Sequence, residues 1–498
     1  MTAVNFVLHA HLPWVKRAGK WPFGEEWLYQ AILSTYIPLA DMLGRLRHSK
    51  IKGAITLGIT PVLVEMLRDP YFMDGFDAYV DSRVGLLDED IVTFGEQDAA
   101  LRQLAIGARA HVQSMRKHWK NDYGRDLLAA FSEFAKTGEI EILTSAATHA
   151  YLPLLTSRAV EAQLATGLET TQDAFGVRAN GVWLPECGFE RGVIPMLSRL
   201  GLKFFYADER AVAELTGNCD RPFRYPNSNI AFFTRHPLAR GELMDTDLGY
   251  PGNSWYREFY KRHERSGMHY WRVTDKSADF AQKEPYEPAR ALEQIRRHAD
   301  DFVRKIRAAD GGPDRYLTFT FDAELFGHWW GEGILWLEET IVQLHHERVA
   351  TFATPSAVLA RAGELEALEL PRSSWGIGGD DRVWNNGQTQ SYWTAVQEVQ
   401  FEFEDLVRRF GQGAPFVQQA ARELLLLQSS DWPFLISNRE AGAYPQERVA
   451  QHRQRFTQLA RAARGEEHNV DQAREALEND SLFSRVNLDS FSSTAPLT

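Results

Sequence analysis

Short apolar runs separated by longer stretches of helical periodicity set the rhythm of this chain. Val4 to Leu8, Ala54 to Ile59, Glu139 to Leu143, Ala179 to Val182, Leu202 to Tyr206, Ile230 to Phe233 and Leu317 to Phe321 are compact β-prone runs of the kind that form buried strands. A last short run, Ala350 to Phe352, stops at Thr354 and Pro355. Between them apolar residues recur at helical spacing. Trp27, Ile32, Tyr36, Leu39 and Leu43 mark 21–46, and most of 62–136 follows the same pattern, with breaks at Asp69-Pro70, Gly85 and Gly95. Strands that alternate with helices imply a parallel sheet.

Polarity changes abruptly where each run stops. His9, His11 and Trp14 follow the first, with Pro13 halting the strand, and the i, i+2 spacing sends both imidazoles to one side. His149 follows the third run, Trp183 and Glu186 the fourth, Asp208 the fifth, and Asp322, Glu324 and His328 the seventh. Site residues drawn from many strand ends favour a closed barrel over an open doubly wound sheet. Residues 211–272 break the rhythm with a Gly/Asn/Pro-rich loop and an aromatic, charged stretch from Trp255 to Trp271, and they read as an insertion over the site. From about Pro371 the pattern turns helical, at 391–409, 414–428 and 446–464, interrupted by Ser429-Ser-Asp-Trp-Pro-Phe434. The polar tail, 481–498, is expected to fray.

Composition narrows the partners. At 44% hydrophobic and 24% charged the chain is ordinary for a soluble globular protein, and a net charge of -12 argues against nucleic acid or an anionic membrane. A neutral polymer would be indifferent to that charge. Two cysteines, Cys187 and Cys219, make neither a disulfide framework nor a zinc site and fit a reducing cytoplasm. The start has no basic region ahead of a long apolar one, and no apolar run approaches the roughly 20 residues that span a bilayer. Without a G-x-G-x-x-G or Walker motif no nucleotide is indicated, and neither a cofactor nor a metal is expected. The 14 Trp cluster near the strand-end segments, where some would stack on pyranose rings while others fill the core. Glu186 and Asp322, flanked by aromatics at two strand ends, suggest paired carboxyls in a sugar-sized cleft, one raised in pKa and one kept ionised.

Three segments, His9-Ala-His-Leu-Pro-Trp14, Trp183-Leu-Pro-Glu-Cys-Gly-Phe189 and Thr320-Phe-Asp-Ala-Glu-Leu-Phe-Gly-His-Trp329, together resemble glycoside hydrolase family 57, and within it the 1,4-α-glucan branching enzymes. Gly249-Tyr-Pro-Gly252, Tyr256-Arg-Glu-Phe259, Ser374-Trp-Gly376 and Gln428-Ser-Ser-Asp-Trp-Pro-Phe434 extend the likeness over nearly the whole chain. The resemblance implies an α/β fold: a distorted (β/α)7 barrel over 1–370 with an inserted subdomain, and an all-helical C-terminal domain over 371–480 completing the cleft. It implies a retaining enzyme acting on α-1,4-glucans such as amylose, glycogen and maltooligosaccharides, with Glu186 as nucleophile and Asp322 as general acid/base. Retention would set the two carboxyls about 5–5.5 Å apart. By the same likeness His9, His11, Trp14, His149, Trp183, Tyr250, Trp271, His328, Trp375, Trp384 and Asp431 are candidate substrate-binding residues, although Trp375 and Trp384 could instead pack between domains. Glu190, Glu324 and Glu332 are expected behind the reacting pair or at the surface.

The resembling branching enzymes carry a longer loop between the fifth strand and the next hairpin, with a tyrosine near its tip. The shorter 211–229 here, with Tyr225 alone as a stand-in, implies marked hydrolysis beside transfer to a glucan 6-hydroxyl. An α-amylase-like hydrolase, a non-catalytic glucan-binding protein and a metal-dependent polysaccharide deacetylase are the alternatives.

Overall fold

The computed structural model describes residues 1–244 and 249–492. Its strands are β1 (Ala3–Ala10), β2 (Ile55–Ile59), β3 (Ile140–Ser145), β4 (Gly181–Trp183), β5 (Phe204–Ala207), β6 (Phe223–Arg224), β7 (Ala231–Thr234), β8 (Tyr316–Asp322) and β9 (Thr351–Phe352). All pair in parallel except β6, which makes an antiparallel edge on β7, and the order is β6-β7-β5-β4-β3-β2-β1-β8. Just past β7, Arg235 bridges in parallel to Thr318 of β8, and the His236 N–H donates to the Thr318 carbonyl at 2.7 Å. That bridge closes seven parallel strands into a distorted barrel with one thin seam. β9 pairs with the first residues of β1, outside the ring. The strands are apolar because helices cover one face and barrel side chains the other: β2, β5 and β7 are buried at every position.

Three expectations need correction. Gly85 does not break its helix, which runs from Pro70 to Phe94. A mid-helix glycine costs only about 1 kcal/mol, and burial of Phe72, Phe76, Val80 and Leu87 outweighs it. The segment 211–229 does not cover the site. β5 and β7 are parallel neighbours, so the helix Glu209–Thr216 and the residues after it carry the chain back, and residues 224–230 lie at the opposite, N-terminal ends of the strands, beside Asn180, Lys203 and Ala231. There Arg224 and Asn229 line a cavity of about 430 Å³ with Asn180, Lys203 and Ser356. Tyr225 packs beside Phe189, with ring centres 5.7 Å apart, and is no loop-tip residue. The cover comes instead from residues 249–287, which pack on the loop after β8 through the Arg257 N–H on Glu332 and Phe259 beside His328. Leu248, in the segment expected to carry Tyr250, lies outside the described residues, as do 493–498 of the tail.

The described part of the tail, 481–492, does not fray. Leu482, Phe483, Val486, Leu488 and Phe491 are buried, and Arg422 grips the carbonyls of Leu482 and Phe483 at 2.7 and 2.8 Å. Those five apolar residues, spaced among polar ones, carry the burial that the tail's average polarity hid. The helical domain they complete comprises Gln390–Phe410, Pro415–Leu427, Asp431–Asn438, Tyr444–Ala463 and Val470–Asn479. No helix among the described residues is long and apolar enough to cross a membrane.

Candidate active site

Register puts the first pair of side chains together. His9 on β1 lies opposite Asp322 on β8, and in-register residues of neighbouring parallel strands point to the same face. After β4 the chain turns sharply, with Glu186 at φ 63° and Cys187 at φ 49°, and His149 beyond β3 sits at φ 56°. Left-handed backbone at a non-glycine residue costs of order 1–3 kcal/mol, so packing must hold these residues in place. It comes from the C-terminal part of the chain. The Trp375 N–H donates to the Glu186 carbonyl at 2.9 Å, and the Ser430 N–H donates to the His149 carbonyl at 3.0 Å.

The two acids differ in environment. Burial raises the pKa of Glu186, opposed by Trp375 Nε1–H donating to Oε2 at 2.7 Å and the Ser430 hydroxyl donating to Oε1 at 2.9 Å. Burial pushes Asp322 up to about 8, reinforced by the charges of Glu324 and Glu186. At neutral pH Asp322 therefore carries a proton, and Glu186 is the acid supplied with donors to its carboxylate. Asp322 feels the charge of Glu186, and both lie near His11, which places the sequence-identified pair in one cleft.

Three histidines pack around them. Burial holds His9 and His149 well below the ordinary imidazole range, with further depression by neighbouring imidazoles. For His11 burial also opposes charge, yet Asp431, bonded to Nε2 at 3.0 Å, together with Glu186 and Glu324, raises it. His11 Nδ1 meets Thr60 Oγ1 at 3.0 Å. Burial alone would raise Asp431, but His11 beside it and Ser429 hold its carboxyl below the usual range. The tautomers follow from the partners. Ser430 Oγ gives its hydrogen to Glu186, so it accepts from His149 Nδ1 at 2.9 Å. His149 Nε2 must then accept from His9 Nε2–H at 2.9 Å, which leaves His9 Nδ1 as a bare lone pair, and that atom is buried with no partner. A directional chain of hydrogen bonds thus runs from His9 to Glu186.

Other candidate residues divide by what they touch. Trp375 is partly buried at the site and meets Trp183 edge to face at 5.1 Å. Trp183 is fully buried and stacks on His9 at 4.8 Å, so it is a floor under the histidines and has no face for a sugar. Trp14 is also buried. Its indole N–H donates to Asp480 Oδ1 at 2.9 Å, which ties the barrel to the helical domain and removes it from the site. Trp384 is buried against Tyr151 with centres 4.6 Å apart and packs between the domains. Tyr250 stacks on His298 at 4.3 Å and donates to Asp301 at 2.7 Å, so its partners are on the helix Pro288–Ala308. Trp271 is half-buried under Lys261, 4.1 Å from the ring centre, and His328 is half-buried beside Trp329. Trp271 lies on the cover, and His328, on the loop after β8, meets the cover at Phe259 with ring centres 5.9 Å apart.

Sequence reasoning undervalued four groups. Glu324 is buried, pushed up to about 7 by burial; its Oε1 accepts from the His11 N–H at 3.2 Å and from the Tyr36 hydroxyl. Glu332 is likewise buried. Ser430 stood beside Asp431 in the quoted motif, but a serine in a loop carries no signal of its reach. Arg235 is buried between Asp208 Oδ2 at 2.8 Å and Glu209 Oε2 at 2.7 Å, over the Trp375 ring at 5.9 Å. Its position at the seam becomes visible only once β7 and β8 are known to meet.

His11, His149 and Asp431 bring ligand atoms within 4.8 Å of one another, a spacing that could hold a metal ion. Both nitrogens of His149 and of His11 are already engaged, and the acid pair needs no metal to act on a glycosidic bond.

Comparison with known proteins agrees with this geometry. Residues 5–371 match the family model described as glycosyl hydrolase family 57, and 396–491 match that of the 1,4-alpha-glucan branching enzyme C-terminal domain. A curated 1,4-alpha-glucan branching enzyme of Thermococcus kodakarensis is 35% identical over 92% of this chain and 73% of its own. A probable 1,4-alpha-glucan branching enzyme of Mycobacterium tuberculosis is 30% identical over 92% and 91%. The crystal structure of a family 57 branching enzyme from Pyrococcus horikoshii superposes with a TM-score of 0.94 at 33% identity, covering 99% of this chain and 97% of that one. The alpha-amylase AmyC of Thermotoga maritima gives 0.89 at 27%, over 99% and 100%. With the match running from the first strand to the end of the barrel, the chain belongs to glycosyl hydrolase family 57.

Proposed function

We propose that the protein is a retaining 1,4-α-glucan branching enzyme. The observation that carries this reading is the split between the two buried acids, Asp322 protonated at neutral pH and Glu186 held by two hydrogen-bond donors. Glu186 attacks the anomeric carbon of an α-1,4 bond while Asp322 gives its proton to the departing 4-oxygen, leaving a glycosyl-enzyme ester and a shortened chain. Deprotonated Asp322 then takes the proton of an incoming glucan 6-hydroxyl, and the new α-1,6 bond releases Glu186. His9, His11, His149 and Asp431 would bond sugar hydroxyls or hold the residues that do, with Trp375 flanking the bond, Trp271 on the cover and His328 beside it on the loop after β8. The substrates would be amylose, glycogen and maltooligosaccharides. A cytoplasmic location fits the two buried free thiols.

Water could replace the 6-hydroxyl, and the likeness to an alpha-amylase supports hydrolysis as the second reading. Incubation with amylose, followed by isoamylase, decides between them. Branching yields short chains released only after debranching, whereas new reducing ends without α-1,6 linkages would defeat the transferase reading. Glu186→Gln and Asp322→Asn should each lose several orders of magnitude in rate; retention of function by either would favour a mere glucan binder.

A further inference from the structure

The indole that serves Glu186 sits on a loop with little packing of its own. Trp375 gives its Nε1–H to Glu186 Oε2, but Ile377 beyond it is 79% exposed, and Gly378 and Gly379 turn the chain at φ +84° and +75°. A loop so sparsely packed keeps one geometry only where bonds fix it. The Trp375 N–H on the Glu186 carbonyl fixes one end. The rest of the hold comes from buried charges to which the proposed reaction gives no part. Asp208 follows β5 and Arg235 follows β7, and both are buried. Asp208 Oδ1 accepts from Arg210 Nε–H at 2.6 Å and Oδ2 from the Arg235 guanidinium at 2.8 Å, while Glu209 Oε2 accepts the Arg235 Nε–H at 2.7 Å. The Arg210 guanidinium donates in turn to the Gly376 carbonyl at 2.8 Å and to the Ser374 carbonyl at 3.4 Å. It thus clasps the residues on both sides of Trp375, and Arg235 lies over the indole at 5.9 Å. A planar fork can meet a carboxylate and two carbonyls at once, which a flexible ammonium cannot do in fixed geometry.

We infer that Arg210, seated on Asp208 beside Arg235, is a positioning residue for the reaction: it holds Trp375 so that the indole N–H stays on Glu186. The inference rests on the proposed function, in which Glu186 is the nucleophile. A donor aimed at a carboxylate favours its charged form and fixes the plane of its oxygens for attack. Without the clasp the indole loses its aim, and Glu186 takes a proton at higher pH. The other groups that face Glu186 are Ser430, His149 at 3.9 Å, and the charges of Asp431 and His11. Arg210 bonds instead to Asp208 and to the two carbonyls beside Trp375, so its effect on Glu186 travels through Trp375.

The test is a double-mutant cycle between Arg210→Met and Trp375→Phe in the full chain, read as kcat, KM for amylose and the pH profile of kcat/KM. Arg210→Met should lower kcat about tenfold, the lower end of what one hydrogen bond to a charged group is worth. KM should change by less than about twofold, because the lost contact acts on the reacting group and not on binding. The acid limb should move to higher pH. Trp375→Phe keeps a ring on the same loop without the N–H, so adding Arg210→Met to it should change neither kcat nor the acid limb further. Arg210→Lys, which keeps a cation beside Asp208, should recover most of the lost kcat. A role in the fold alone predicts equal loss in both backgrounds and an unmoved limb, and either result would overturn the inference. Counting new reducing ends and new branches together makes the cycle independent of which acceptor wins. Activity retained by Glu186→Gln would remove the nucleophile assignment and this inference with it, whereas additive losses with Glu186→Gln inactive would remove the inference alone.

Discussion

At the scale of single residues, the proposed reaction depends on keeping two buried carboxyls in different protonation states. On that proposal Asp322 must be protonated to act, and its pKa stands at about 8 because burial and two neighbouring acids disfavour its charge. Activity should therefore fall as pH rises through about 8, and the acid limb should follow ionisation of Glu186. Glu324→Gln removes one of the repelling charges, so the alkaline limb should move to lower pH; a pH profile of kcat/KM that does not move would contradict the assignment. The same shift bears on stability. A carboxyl whose folded pKa is raised contributes stability that is present below its unfolded value and lost as pH rises through the folded one. Between about pH 4 and 8 the wild-type chain progressively gives up that contribution, and Asp322→Asn, which cannot ionise, should melt higher than wild type above pH 8. Ser430→Ala removes a donor to Glu186 and the acceptor of His149. It should raise the acid limb and cost about 10–100-fold in kcat/KM, the worth of one hydrogen bond to a charged group.

Among the elements, the strands were legible and their closure was not. Each apolar run before a polar strand end became a strand, because burial on both faces writes itself into sequence as an unbroken apolar stretch. Glu186 and Asp322 stood out for the same reason, since charge directly after such a run has few structural uses, and the structure finds both buried, with the charge of Glu186 felt at Asp322. The placement of 211–229 was misjudged because loop length says nothing about which end of a strand a loop joins; parallel pairing of β5 and β7 decides that. Trp14, Trp183, Trp384 and Tyr250 were candidates for the site by family likeness. Their partners, Asp480, His9, Tyr151 and His298, come from distant segments that no local pattern reveals. The tail shows the same limit, and it carries a prediction. Phe483→Ala should destabilise by about 3–5 kcal/mol in denaturant unfolding, the usual cost for a buried phenylalanine, whereas a frayed tail would give no change.

For the whole molecule, the cleft belongs to both halves of the chain. The barrel supplies Glu186, Asp322 and the histidines, and the C-terminal part supplies Trp375, Ser430 and Asp431, which bond to Glu186 and His11. A protein ending at position 370 should therefore be inactive even where it folds, and adding back the remainder should matter more than changing any surface charge. Chelators should leave activity unchanged, since no step of the double displacement passes through a metal; loss with EDTA and recovery with zinc would revive the His11, His149 and Asp431 cluster as a metal site. The most direct test is to trap the first half of the reaction. With Asp322→Asn and an α-maltosyl fluoride donor, whose leaving group needs no proton, the intermediate should accumulate. Peptide mass spectrometry should then find the glycosyl adduct on Glu186, and an adduct on another residue, or none while turnover continues, would contradict the account.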